Sequence, residues 1–239
     1  MKPITFNIYV MSFRRAKCIT SHKLFDYCTV VVREEEAEEY RANGINNLLV
    51  IPKGAVRNFM STLYWIIENT PEDVIYVCDD DCNDFVYRQR DTIPITSTET
   101  GEADTNVITQ EVERVAQMLV DLNLGIASDN ASKSIYAYCS EFAFVGMPGH
   151  MRWINKACLK AKNDDKDPCA SDIDLVMQEL CMNRIILQPR YLSVNSVVGT
   201  NTTEDRVTQK VFIENMKNKW GKYYGFNYKR NIASIKVQR

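Results

Sequence analysis

Histidine is scarce in this chain, since His22 and His150 are the only two among 239 residues. The eight cysteines are scattered, and none of them stands in a C-x-x-C pair. A histidine-rich metal centre and a tetrahedral zinc site are therefore not expected, and the cysteines fit reduced thiols of a cytoplasmic protein. No secretory segment and no apolar run of membrane-spanning length is found, so no membrane partner is expected.

The net charge is also small, at −2, which gives no global basic field of the kind that marks many nucleic-acid-binding proteins. The charge is unevenly distributed, however. Residues 207–239 contain eight basic residues and one acidic residue, so 8 − 1 gives +7 there and the remainder must be −9. This asymmetry indicates either an anionic partner near the C-terminus or a solvated helix face.

Three carboxylates follow a buried strand. The apolar run Val74–Cys78 leads directly into Asp79, Asp80 and Asp81, and a strand that is apolar on successive residues suits the middle of a parallel sheet. Adjacent carboxylates oppose each other's ionisation, a cost that a bound Mg²⁺ or Mn²⁺ would remove. A metal–phosphate site is therefore predicted at this strand end, with a solvated acidic turn as the alternative. An EF-hand is excluded because Asp84 and Arg90 occupy positions that require glycine and glutamate.

Strands and helices alternate in the first part of the chain. Strands are predicted at 5–10, 28–32, 47–52 and 74–78, and helices at 34–42 and 58–69. Short links between them predict an α/β fold with a mostly parallel sheet flanked by helices. Further along, we predict a long mobile loop at 88–106, helices at 107–122, 150–162, 171–183 and 202–219, and strands at 135–144 and 185–187. The length fits a single domain over 1–239.

Several polar residues stand where such a fold places ligands. Arg14 and Arg15 follow the first strand and could either meet a diphosphate or be surface residues. A strand period of two would place Asp79 and Asp81 on one face and Asp80 on the other. In the second half, Asp172 and Asp174 open a helix, where the helix dipole stabilises a carboxylate. A plain helix cap is the alternative reading of that segment.

Three parallel βα units ahead of a D-x-D strand resemble the GT-A fold of nucleotide-sugar glycosyltransferases. The resemblance implies Mn²⁺ or Mg²⁺ on the diphosphate of the donor, favouring a UDP-sugar, with Asp81 as principal metal ligand. Asp79 would lie near the nucleoside and also contribute to the metal, and Asp80 would belong to the same donor-binding motif. The donor-side matches are Ser12 and Arg14 at the diphosphate, Arg33 and Glu34 at the nucleobase, and Arg57 and Asn58 at sugar or phosphate.

The second half resembles the acceptor side of the same family. Gly146 resembles a glycine turn, and the segment from Ser171 to Leu175 resembles the "E-D-x-D-hydrophobic" helix start. This implies that Asp172 is the general base toward the acceptor hydroxyl, with Asp174 second. The chain would then divide into a nucleotide-sugar-binding half, 1–105, and an acceptor-binding half, 106–239. The metal-binding histidine that many relatives have near the C-terminus is absent, so water or another residue would complete the coordination.

The order V-V-x-x-E-E-x-x-x-Y, N-G, V-I-P, R-N, D-D-D, D-x-D-L and W-G-K-Y is similar to phage glycosyltransferases of DNA hypermodification. This similarity implies transfer to a hydroxymethylated pyrimidine in DNA. The basic tail, with Trp220, Tyr223, Tyr224, Phe226 and Tyr228, could contact phosphates and stack on a base, or its aromatics could be core or lid residues. The alternatives are a saccharide or other small acceptor, a nucleotidyltransferase, and a non-catalytic DNA-binding module.

Overall fold

The computed structural model describes residues 4–88, 91–130, 140–163, 171–196 and 206–237. The strands are β1 (Phe6–Met11), β2 (Thr29–Arg33), β3 (Leu48–Ile51), β4 (Val74–Asp79), β5 (Cys82–Arg88), β6 (Thr92–Pro94), β7 (Ile126–Asn130), β8 (Phe142–Ala143), β9 (Pro148–Asn155), β10 (Gln188–Pro189), β11 (Leu192–Ser196), β12 (Tyr224–Asn227) and β13 (Ile232–Ile235). The α-helices are α1 (Ala37–Ala42), α2 (Phe59–Asn69), α3 (Thr105–Asp121), α4 (Ser171–Met182) and α5 (Arg206–Trp220).

The central sheet has six strands in the order β3-β2-β1-β4-β9-β7. The first four of these are parallel, and β9 runs antiparallel between β4 and β7. The predicted α/β fold with a mainly parallel sheet is confirmed. Since β4 lies in the middle of this sheet, the three aspartates come at its carboxyl edge, where open α/β sheets bind ligands.

Both faces of the sheet are buried, because successive strand residues point to opposite sides. On one side, Val10, Val32 and Tyr76 pack in a cluster with the apolar face of α3. On the other side, Ile75 and Val77 pack with residues of α2 and α4. The second face of β4 therefore ends in Asp79, directly beside the layer that contains α4. None of the helices in the described ranges is long and apolar enough to cross a membrane.

Three smaller sheets complete the fold. β5 lies between β6 and β11, β8 pairs with β10, and β12 pairs with β13. The hairpin β12–β13 packs against α5 around Met216 and Tyr224. The strand β6 and a single bridge between Thr96 and Ala103 fall inside the segment predicted as a loop without strands. That prediction was wrong because β6 has only three residues, all of them exposed, so no apolar alternation marks it in the sequence.

Two other predictions were also wrong. Residues 148–155 form strand β9 instead of the first part of a helix. This strand is buried on both faces, so its apolar residues show no alternation and could fit a helical spacing equally well. The strand predicted at 185–187 begins instead at Gln188, and Leu187 makes only an isolated bridge to Ala127. Residues 135–139 of the strand predicted at 135–144 lie outside the described residues, and of the remainder only Phe142–Ala143 form a strand, β8.

Candidate active site

Strand β4 ends at Asp79, and the next two aspartates form the turn into β5. The alternation of strand residues between the two faces of the sheet therefore ends at Asp79, so it does not place Asp81 on the same face as Asp79. The carboxylate of Asp79 points toward β9, whereas Asp80 and Asp81 both pair with the guanidinium of Arg15. The three carboxylates are thus held by two different sets of cations.

Asp79 lies between Arg152 and His150 of β9. Its Oδ1 is 3.3 Å from Arg152 Nη1, and its Oδ2 is 3.3 Å from His150 Nδ1. Burial alone would raise the pKa of Asp79, but Arg152 and His150 outweigh burial and hold that pKa below its usual value. The hydrogen bond to Asp79 raises the pKa of His150, whose Nε2 lies 3.0 Å from Ser196 Oγ. Asp79 is therefore an ionised carboxylate beside a buried cation.

Asp80 connects the β4 turn to the loop after β1. Its Oδ2 accepts a hydrogen bond of 2.5 Å from Ser12 Oγ, and its Oδ1 is 3.2 Å from Arg15 Nη1. The backbone carbonyl of Asp80 also accepts a hydrogen bond of 3.0 Å from the amide of Thr20. The hydroxyl groups of Ser12 and Tyr40 are 2.5 Å apart. Burial raises the pKa of Asp80. The buried hydrogen bond between Asp80 and Ser12 links the β4 turn to the loop after β1.

Asp79 and Asp81 are the more accessible aspartates of the three. Their side chains are 30% and 19% exposed, against 9% for Asp80. Among the described residues, no group of three or more His, Cys, Asp or Glu side chains converges on a metal position. Two carboxylates are nevertheless a usual protein contribution to Mg²⁺, which takes its other ligands from water and phosphate. Asp79 and Asp81 are therefore ligands of the type that a hard divalent cation takes, with Asp79 turned to Arg152 and Asp81 to Arg15.

Asp172 lies at the first turn of α4, on the same side of the sheet as Asp79. Its Oδ2 is 3.7 Å from Arg152 Nη2, and its Oδ1 accepts a hydrogen bond of 2.8 Å from the amide of Ile173. Arg152 thus contacts Asp79 through one terminal nitrogen and Asp172 through the other. The strand-end carboxylate and the helix-start carboxylate, remote in sequence, face a single guanidinium.

Asp174 lies two residues further along the same first turn of α4, where it is buried, and both of its carboxylate oxygens accept hydrogen bonds. Oδ1 accepts a hydrogen bond of 2.7 Å from Trp220 Nε1. Oδ2 accepts bonds of 3.0 Å from Lys219 Nζ and 2.8 Å from Gln178 Nε2. Asp174 therefore anchors the end of α5 to α4 instead of presenting an open oxygen.

Arg14 and Arg33, predicted at the diphosphate and the nucleobase, both lie against the ring of Phe13, which the sequence did not single out. The guanidinium carbons of Arg14 and Arg33 lie 4.8 and 4.2 Å from the centre of its ring. Arg14 has φ of +56°, and its amide donates a 2.7 Å hydrogen bond to Glu36. Glu34 accepts a hydrogen bond of 2.9 Å from the amide of Lys53. The ends of β1, β2 and β3 are thereby joined.

Arg57 and Asn58 stand at the start of α2. Asn58 is its N-cap, because Asn58 Oδ1 accepts a 2.9 Å hydrogen bond from the amide of Ser61. In return, the hydroxyl of Ser61 accepts a hydrogen bond from the amide of Asn58. The carbonyl of Arg57 accepts a 3.4 Å hydrogen bond from Arg33 Nη2. The capping box occupies the Asn58 side chain, and the exposed Arg57 remains at the edge that Arg33 also borders.

Arg152 and His150 are the site residues that the sequence did not indicate, because β9 was predicted as a helix. A strand assignment would have placed Arg152 beside Val77 of β4, its partner in the sheet register. Gly149 lies against the Asp129 carboxylate, so a Cβ atom there would displace that side chain. Gly146, predicted at a glycine turn, lies in the same way against the end of the Gln188 side chain.

No protein-family model and no curated protein matches this chain. Among solved structures, it resembles a mannosyltransferase from Pyrobaculum calidifontis in complex with GDP-Man and Mn²⁺, with a TM-score of 0.53 and 13% identity. That match covers 83% of this chain and only 58% of the mannosyltransferase.

A second similar structure is glucosyl-3-phosphoglycerate synthase from Mycobacterium tuberculosis, in complex with Mn²⁺, UDP-Glc and glycerol 3-phosphate. The TM-score is 0.56 at 10% identity, over 97% of this chain and 90% of the synthase. At such identities the likeness establishes the fold. The chain has the mixed α/β architecture, with a mainly parallel sheet flanked by helices, that is found in GT-A glycosyltransferases.

Proposed function

We propose that this protein is a metal-dependent glycosyltransferase, which moves a sugar from a nucleoside-diphosphate donor to a hydroxyl acceptor. The observation that supports this best is the meeting of Asp79 and Asp172 at Arg152. One carboxylate ends the central strand of a sheet that suits nucleotide binding, and the other opens a helix beside it. A donor and an acceptor could therefore be held on adjacent carboxylates.

On the donor side, Asp79 and Asp81 would hold Mn²⁺ or Mg²⁺, and the ion would offset the negative charge of the departing diphosphate. Asp80 and Ser12 would keep the β1 loop in place through their buried hydrogen bond. Arg14 is exposed beside this loop and would contact the diphosphate. A UDP-sugar is the favoured donor.

The rest of the donor would extend toward the ends of β2 and β3. Arg33 and Glu34 would border the nucleobase, beside the ring of Phe13. Arg57 would reach the sugar or a phosphate, whereas Asn58 would act through the helix cap that it forms. The donor-binding half would comprise residues 1–105 and the acceptor-binding half residues 106–239.

On the acceptor side, Asp172 is proposed as the general base. Its Oδ2 would accept the proton of the acceptor hydroxyl as that oxygen attacks the anomeric carbon and the bond from this carbon to the diphosphate breaks. The side chain is 30% exposed, so an acceptor could approach it. Asp174, also predicted from the sequence as a catalytic residue, is instead given an anchoring role because its oxygens accept three hydrogen bonds.

The finer proposal is that the acceptor is a hydroxymethylated pyrimidine in DNA. Support comes from the C-terminal unit of α5, β12 and β13, which α4 holds through Asp174 and Trp220. Tyr223 and Tyr228 are exposed there, at 47% and 59%. Exposed basic residues lie close by in the sequence, namely Lys222, Lys229, Arg230 and Lys236. Such a surface suits phosphate contacts and base stacking.

A donor screen tests the proposal. UDP- and GDP-sugars are incubated with Mn²⁺ and with one acceptor at a time. The acceptors are duplexes that contain hydroxymethylcytosine, hydroxymethyluracil or unmodified pyrimidines, and small acceptors such as saccharides. The digested nucleosides and the small acceptors are analysed by mass spectrometry. Sugar on a hydroxymethylated base only, and its loss in Asp172→Asn, is the expected result. Transfer to saccharides or other small acceptors only would contradict the DNA acceptor. If no sugar is transferred from any donor to any acceptor, the proposed glycosyltransferase activity is contradicted.

A further inference from the structure

Arg152 is the most deeply buried cation next to the candidate reaction centre, with a side chain only 4% exposed. Its guanidinium carbon lies 4.8 Å from the centre of the Phe59 ring of α2. Its terminal nitrogens also lie 3.4 Å from the carbonyls of Gly149 and His150. The neighbours on β9 and α2 therefore fix the plane of the guanidinium group.

This fixed group joins two carboxylates that belong to different parts of the fold. Nη1 is 3.3 Å from Asp79 Oδ1, and Nη2 is 3.7 Å from Asp172 Oδ2. Asp79 is fixed by strand β4, whereas Asp172 stands at the N-terminal end of α4, and both side chains are 30% exposed. A buried cation that has lost its hydration is attracted strongly to nearby carboxylates.

We infer that Arg152 is the positioning residue that sets Asp172 at a fixed place relative to Asp79, and hence relative to the donor. This inference rests on the proposed function. Because the two contacts use different nitrogens of one planar group, the separation of the two carboxylates is set by the guanidinium itself. Displacement of a catalytic group by about 1 Å can lower a rate by about 10²-fold, so Arg152 acts on turnover more than on donor binding.

Arg152→Lys is the first test, since it keeps a positive charge at the buried site but has only one nitrogen and cannot contact both carboxylates in the same way. We expect kcat to fall by at least about tenfold while the donor KM changes by less than about threefold. Arg114→Lys is the matched control, because Arg114 pairs with Glu111 on the surface of α3. Its kcat should equal that of the wild type. An unchanged kcat in Arg152→Lys would overturn the inference.

Arg152→Met supplies a second kinetic test. Added guanidinium ion at millimolar concentration should raise the kcat of this variant by at least about tenfold, because the ion can occupy the space left by the side chain. In an Asp172→Asn background, Arg152→Met should lower kcat by less than about threefold further, since Arg152 acts through Asp172. If Arg152→Met lowers kcat by the same factor in the wild type and in Asp172→Asn, Arg152 does not act through Asp172.

A third test needs neither metal nor substrate. In the apo protein, Asp172→Asn should lower the unfolding temperature of the wild type but not that of Arg152→Lys or Arg152→Met, where the two-carboxylate contact is already lost. Equal decreases in all three backgrounds would show that the contact does not exist. A chain that binds nucleotide and passes this test but transfers no sugar would contradict the proposed function. An active transferase that fails it would contradict only the role of Arg152.

Discussion

Trp220 Nε1 donates a hydrogen bond of 2.7 Å to Asp174 Oδ1, which ties the end of α5 to the first turn of α4. Trp220 also packs with Ile173 in the small core beneath β12. The C-terminal unit is thus fastened to the helix that presents Asp172. A buried hydrogen bond to a charged group contributes about 1.5–3 kcal/mol to stability.

Asp174→Asn and Trp220→Phe should each lower the free energy of unfolding by about 1–3 kcal/mol, measured by urea denaturation. Asp121→Asn is the matched control, because Asp121 is exposed at the end of α3 and accepts a hydrogen bond from Gln117 in the same helix. Its change should stay within about 0.5 kcal/mol. Equal stability of Asp174→Asn and Asp121→Asn would show that the contact does not fasten the unit.

The hydroxyl of Tyr40 is the second structural contact that can be tested. It lies 2.5 Å from Ser12 Oγ and accepts a hydrogen bond of 3.2 Å from the amide of Arg15. Tyr40→Phe leaves that buried amide without this acceptor, so the free energy of unfolding should fall by about 1–3 kcal/mol. The affinity for UDP with Mn²⁺ should fall as well, since the β1 loop would lose its support.

The control for Tyr40 is Tyr27→Phe. The Tyr27 side chain is 40% exposed, and its hydroxyl donates to Glu113 on the surface. Loss of this bond should change the stability by less than about 0.5 kcal/mol and leave nucleotide binding unaltered. If both phenylalanine variants weaken UDP binding equally, the contacts of the Tyr40 hydroxyl with the β1 loop have no special role in nucleotide binding.

The sequence was sufficient for the four parallel strands β1 to β4 and for their order along the chain. Each of β1, β2, β3 and β4 is a run of apolar residues with a turn signal after it, so local pattern and fold agree. The position of Asp172 at a helix start was also predictable. These elements depend on neighbours in the sequence.

The partners of those residues could not be predicted. Asp79 meets Arg152, and Asp174 meets Trp220, only because of how strands and helices pack. Strand β9 could not be distinguished from a helix because both its faces are buried. The division of the three aspartates between Arg152 and Arg15 follows from the end of β4 at Asp79, a boundary that propensities do not define to one residue.

His22 gives a prediction on pH. Burial, aided by Lys23, lowers its pKa. The folded protein therefore binds a proton at His22 less readily than the unfolded chain, whose histidine pKa is about 6.5. The stability that depends on neutral His22 is complete above that pH and is lost as the pH falls toward the lowered pKa.

Urea denaturation of the wild type and of His22→Asn at about pH 8 and about pH 5.5 measures this effect. The wild type should lose stability relative to the variant at the lower pH. Since other titrating groups are the same in both proteins, the difference between them reports His22. A difference that does not vary with pH would disprove the assignment.

The C-terminal unit can be tested as a DNA-binding surface. Lys222, Lys229 and Arg230 are exposed, and their combined change to glutamate should weaken duplex binding. The slope of log K against log salt should become shallower by about 1 for each phosphate contact that is lost. Fluorescence anisotropy over a series of salt concentrations measures both quantities.

A charge-matched control uses three exposed basic residues from the first quarter of the chain, Lys23, Arg41 and Lys53. Their change to glutamate alters the net charge by the same amount and should leave the salt slope unchanged. If both triple variants reduce DNA binding equally, the effect comes from net charge, and the C-terminal unit is not the binding surface.

The central claim is that Asp81, with Asp79, binds a nucleoside diphosphate through a divalent cation, and a thermal unfolding titration with UDP and Mn²⁺ tests it most directly. At about 100 times its dissociation constant, UDP should stabilise the wild type by about 2.7 kcal/mol. Asp84→Asn, on an exposed residue of β5, should respond equally, and Asp81→Asn should lose most of the response. No stabilisation by UDP or GDP with either Mn²⁺ or Mg²⁺, or a full response in Asp81→Asn, would contradict the account.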